Sequence, residues 1–93
     1  MMNEREYLLV CVMEECSEIQ KAASKALRFN LNDPDEIENE FIDLVALFEM
    51  LQFVTLDEER IAAKKKKVRK FMKVSIETGR LNLHPASKVL SVG

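Results

Sequence analysis

Glu15 and Glu18 in MEECSEIQKA, and Glu40 and Asp43 in ENEFIDLVALFEML, are four carboxylates set at i, i+3 on two successive stretches of helical periodicity. Three residues advance a helix by about 300°, nearly a full turn, so each pair projects from one side. On the first stretch Leu8, Val12, Ile19, Ala23 and Ala26 define an apolar arc. Glu15 falls inside it, near Cys11, Ile19 and Ala22, and Glu18 sits on its shoulder. On the second stretch Ile37, Phe41, Leu44, Phe48 and Leu51 form the arc, interrupted by Glu40 and flanked by Asp43. A carboxylate on a core-facing stripe is costly unless something positive meets it. No Arg or Lys shares these positions, so a bound divalent cation best resolves the mutual repulsion. Oxygen-only ligands suit Mg²⁺, with Mn²⁺ as a substitute, whereas zinc would bring His or Cys. The only histidine, His84, stands far along the chain beside Pro85, and the Glu-x-x-His pattern of di-iron bundles is absent. A single ExxE commonly marks a solvated face. Two pairs intruding on the apolar stripes of consecutive helices are a stronger signal.

The elements that must hold these groups are helices. Asn3 can cap a first helix over about residues 4–28, with Glu6 three residues on in a capping-box arrangement. Residues 29–33 break the pattern, and Asp33-Pro34-Asp35-Glu36 restarts it: Asp33 as cap, Pro34 at the first helical position, Glu36 closing the box. This second helix is expected to reach about Phe53. Thr55 and Glu58 repeat the start signal for a third, expected to end at Gly79, and the tail is expected to form a turn or two after Pro85. Neither a repeat nor strand-like alternation is present. The expected fold class is all-α, an antiparallel helical bundle. The second helix is apolar nearly all round, since Ile42, Ala46, Met50 and Phe53 lie opposite the main arc. So short a chain cannot cover such a helix on every side, and a homodimer or homotetramer that completes the bundle is expected.

Composition agrees with this reading. Ninety-three residues allow one domain, 1–93, and 47% hydrophobic with 32% charged residues argues against disorder. The formal charge of −2 hides an asymmetry, because the 16 acids concentrate before residue 60 and the 14 bases after it. Cys11 and Cys16 are five residues apart on one helix, point in different directions and cannot bridge within it. Free thiols, no apolar run of membrane-spanning length and an acidic N-terminus, MMNEREY, lead to the expectation of a cytoplasmic protein with no membrane partner.

The arrangement Glu14-Glu15-x-x-Glu18, then Glu40-x-x-Asp43 after a gap of 21 residues, resembles the EExxE…ExxD signature of the MazG-like all-α nucleoside triphosphate pyrophosphohydrolases. The resemblance spans roughly residues 5–78 and is like the small stand-alone bacterial and phage members. It implies an enzyme that hydrolyses a (deoxy)nucleoside triphosphate between the α- and β-phosphates, releasing the monophosphate and pyrophosphate, with nucleotide-pool control as the role. It implies further that Glu15, Glu18, Glu40 and Asp43 bind Mg²⁺, and that Glu14 orients the attacking water or holds a further ion. This agrees with the carboxylate chemistry read from the residues, because metal-assisted phosphoryl chemistry needs neither a Ser–His nor a Cys–His arrangement. Unlike many members, the chain begins almost directly with the motif helix, so a wall around the base is lacking or comes from a partner subunit. Phe29, Asn30 and Asn32, after the first helix, offer a stacking ring and amide groups for a base, and are equally suited to be a loop anchor and turn-formers.

Cations supply the remaining candidates. Lys21 and Lys25 continue the line of Glu14 and Glu18 by successive turns and could meet the outer phosphates, or pair on the surface. Lys64–Lys67, Arg69, Lys70 and Lys73 crowd the third helix, where Lys66, Lys70 and Lys73 are expected to be solvated. Lys65 shares a stripe with Ile61, Val68, Met72 and Ser75, so it either reaches the carboxylates or a phosphate, or snorkels at the core edge. A helical module binding nucleic acid or protein through this basic helix is the competing reading. The acidic total and the lack of a recognition motif argue against nucleic acid. A phosphoribosyl-ATP pyrophosphohydrolase is a related enzymatic alternative with the same carboxylate chemistry.

Overall fold

Asn3 sets the first boundary. Its backbone is extended and its Oδ1 accepts a hydrogen bond from the Glu6 N–H at 2.8 Å, which satisfies one of the donors a helix start leaves open. In the computed structural model, which describes residues 1–31, 35–53 and 56–90, three helices follow: α1 (Glu4–Phe29), α2 (Asp35–Leu51) and α3 (Glu58–Glu77). Among the described residues there is no strand, so the protein is all-helical.

All three helices stop in the same way. Asn30 takes the left-handed conformation (φ 51°), and the Leu31 N–H returns to the Ala26 carbonyl at 3.0 Å. Gln52 does likewise (φ 59°), with Gln52 N–H to the Glu49 carbonyl and Phe53 N–H to the Phe48 carbonyl. Gly79 (φ 75°) closes α3, with Gly79 N–H to the Ile76 carbonyl and Arg80 N–H to the Ser75 carbonyl. Each is a six-to-one closure that satisfies orphan carbonyls. The second helix therefore ends at Leu51 rather than Phe53, and the third at Glu77, two residues before the glycine.

The expected cap Asp33 and the helix-starting Pro34 lie outside the described residues, as do Asn32 and Thr55. The cap of α3 is Asp57, whose Oδ1 accepts from the Glu59 and Arg60 N–H groups at 3.0 and 3.2 Å, and Glu58 is the first helical residue. After α3 the expected helical turns are hydrogen-bonded turns instead, with Ser87 N–H donating to the His84 carbonyl and Ala86 N–H to His84 Nδ1.

The chain forms two compact units, Met1–Val54 and Thr55–Gly93. In the first, α1 and α2 pack as an antiparallel hairpin. Lys25 near the end of α1 pairs with Glu36 near the start of α2 at 3.5 Å, while Arg5 at the start of α1 lies over the Phe53 ring just beyond α2, 5.9 Å from its centroid. Leu8 and Ala22 are buried, and Val12, Ile19, Ala23 and Ala26 of α1 and Ile37, Leu44, Val45, Leu47, Phe48 and Leu51 of α2 are half-buried. Phe41, expected inside the arc, is 56% exposed. The stripe that meets α1 runs through Ile37, Glu40, Leu44, Leu47 and Leu51, and the turn of 100° per residue carries Phe41 to its edge. Ile42, Ala46 and Met50 are exposed on the opposite side of α2, whereas Phe53, expected with them, lies beyond the helix end under Arg5 of α1.

The second unit comprises α3 and the C-terminal segment, tied by a hydrogen bond from Arg69 Nε to the Val89 carbonyl at 3.1 Å. The two units differ sharply in charge. The first carries twelve acidic and four basic residues, net −8, and the second four acidic and ten basic residues, net +6.

Candidate metal centre

Midway along the hairpin, α1 contributes Glu15 and α2 contributes Glu40 and Asp43. One carboxylate oxygen from each lies within 4.8 Å of the other two. The antiparallel register brings the middle of both helices together, and the i, i+3 spacing sets Glu40 and Asp43 on the side that α1 approaches. Glu15 and Glu40 are half-buried and Asp43 is exposed.

Glu15 carries the strain of this arrangement. Its Oε2 is shielded from solvent and has no hydrogen-bond partner. Two ionised carboxylates have no proton to share, so the adjacent Glu40 cannot satisfy that oxygen. The Glu15 carboxyl is accordingly pushed above the usual glutamate range. The main cause is the hydrogen bond with Glu40 that a proton would permit. Burial follows, and then the negative charges of Asp43, Glu40 and Glu18.

The other sequence candidates are distributed around this group. Glu18 is exposed and outside the cluster, and accepts from Lys21 Nζ at 3.3 Å, so it has a cationic neighbour one turn along the same helix. Glu14 is exposed beside Glu15. Lys21 and Lys25 both sit in exposed ion pairs, with Glu18 and Glu36, of a kind worth little stability and easily exchanged for another anion. Phe29 is exposed with the Arg28 guanidinium over its ring at 5.4 Å, and Asn30 is the left-handed residue that ends α1. Lys65 is an exposed residue of α3, in the second unit. The Arg5–Phe53 contact was not foreseen, since a ring and a guanidinium from opposite ends of the hairpin sequence leave no periodic trace.

The donor set fits a hard divalent cation. All the clustered atoms are carboxylate oxygens, and closing them onto one octahedral Mg²⁺, whose neighbouring oxygens stand about 3 Å apart, would draw the side chains inward from the spacing here. Exposed acidic groups often cluster with no ion between them. The shielded, partnerless oxygen of Glu15 separates this cluster from that ordinary case. No family model, no curated protein and no solved structure matches the chain significantly. Among the described residues, no helix is long and apolar enough to cross a membrane.

Proposed function

We propose that the protein is a metal-dependent nucleotide pyrophosphohydrolase of the MazG-like kind, converting a (deoxy)nucleoside triphosphate to its monophosphate and pyrophosphate. The observation that carries this reading is the convergence of Glu15, Glu40 and Asp43 around a shielded oxygen with no protein partner. Those three residues, with Glu18 at the rim, would hold Mg²⁺ or Mn²⁺. When bound, the ion supplies neutralisation of the polyphosphate and polarisation of the α-phosphorus.

The remaining work falls to the chain's own groups. Glu14, exposed beside the cluster, accepts a hydrogen bond from the attacking water and orients it. Glu15, as a ligand of that ion, would help to hold it where the water attacks. Lys21 and Lys25 exchange their carboxylate partners for the outer phosphates, and Phe29 and Asn30 meet the base. A cytoplasmic homodimer or homotetramer, closing over the exposed side of α2, completes the reading. Its role is control of the nucleotide pool.

The test is a panel of canonical and damaged nucleotides plus phosphoribosyl-ATP, assayed separately for phosphate and pyrophosphate with Mg²⁺ and with chelator. Pyrophosphate release from at least one nucleotide, dependent on metal and abolished in Glu40→Gln with helicity retained, is the expected result. Full activity in Glu40→Gln, or release of orthophosphate alone, defeats the proposal.

A further inference from the structure

Residues 60–73 of α3 hold eight cationic side chains and no acid. Among the described residues none of these eight lies within ion-pair distance of a carboxylate, whereas Lys21 and Lys25 of α1 are both paired. Arg69 is half-buried and engaged with the Val89 carbonyl, which leaves Arg60 and the six lysines as the free charge. They are not spread evenly. Lys66, Lys70 and Lys73 succeed one another at i+4 and i+3, one stripe rising about 10 Å along the axis. Ala62 and Ala63, both exposed, precede that stripe and keep the helix surface low there, with Leu90 of the C-terminal segment beside it.

From this stripe we infer a second binding surface, for the sugar-phosphate backbone of a nucleic acid, read by charge and not by sequence. Three lysines in line along one helix match a linear polyanion, and small residues beside them let that backbone approach. An anionic membrane is the poorer fit. Val68 and Phe71, the apolar residues such a surface would take up, project from the other side of the helix, so inserting them would turn the stripe away from the headgroups. The acidic total of the chain does not forbid the contact, because the unit that holds the stripe is itself net +6. The inference is independent of the proposed hydrolysis and needs no metal.

The experiment uses the full-length protein and a fluorescein-labelled DNA duplex of mixed sequence, with anisotropy followed in chelator across a salt series. Binding should weaken about a hundredfold between about 50 and 200 mM salt, as three or four neutralised phosphates require. The variant K66A/K70A/K73A, in which alanine preserves helix propensity, should lower the salt slope by nearly three while circular dichroism is unchanged. Wild-type protein that fails to bind the duplex at low salt overturns the inference. So does a variant that binds with the wild-type slope. Vesicles of phosphatidylserine that compete with the duplex at equal lipid phosphate overturn it in favour of a membrane. Pyrophosphate release is read on separate aliquots of the same preparations with Mg²⁺ in place of chelator, so a failed binding assay and a failed enzyme remain separate results.

Discussion

At the residue scale, Glu15 links the chemistry to the stability. Its carboxyl is raised, so the folded protein holds a proton there more tightly than the unfolded chain does. In metal-free protein its stabilising effect is complete below the ordinary glutamate range and is lost as pH rises through the raised value. Thermal melts in chelator should therefore show stability falling across that window. Glu15→Gln should flatten the slope, and Mg²⁺ should restore stability at neutral pH. A melting temperature that rises with pH throughout, unaffected by Glu15→Gln, would remove the basis for a strained carboxylate. That three acids converge was legible in the chain because i, i+3 spacing on two apolar stripes leaves them few other places to go. The exclusion of Glu18 was not legible. Shoulder positions are decided by rotamer, and Lys21 one turn on offered Glu18 a partner in the outward direction.

The helices themselves were readable where a side chain defines the boundary and less so where the backbone does. Asn3 marked the start of α1 to within a residue, because an Asx cap acts through its own oxygen. At α3 the pair Thr55–Glu58 had the spacing of a capping box, yet Asp57 holds two backbone N–H groups and is the stronger acceptor. The end of α2 had no side-chain marker at all, since Gln52 adopts a left-handed conformation that its residue type disfavours. Holding an L-residue there costs roughly 1 kcal/mol. Gln52→Gly should thus stabilise the protein by about that amount, seen as a melting temperature higher by about 4–8 °C. An unchanged or lower melting temperature would mean that the Gln52 side chain contributes more than its backbone loses.

For the whole molecule, the decisive quantity is apolar surface left uncovered. Among the described residues of the hairpin only Leu8 and Ala22 are buried, while Ile42 and Met50 are more than half exposed on the far side of α2. A two-helix unit has no further element with which to cover them, and patches of this kind mark interaction sites. Sedimentation at micromolar concentration should show a dimer or tetramer. Ile42→Lys, which puts a charge on that face, should shift it towards monomer with a loss of cooperative unfolding. A well-folded wild-type monomer would contradict the expectation. The exposed apolar side of α2 was legible from the all-round apolarity of the second helix. The division of the chain into two compact units was not, because residues 54–57 carry none of the glycine, proline or serine that commonly signals a boundary. That division has a practical corollary. With −8 on one unit and +6 on the other, the isoelectric point near 5.5 describes neither. Towards a charged matrix the chain behaves as two ions of opposite sign on one polypeptide. An anion exchanger and a cation exchanger at neutral pH each find a half to retain, and titration to the isoelectric point silences neither half.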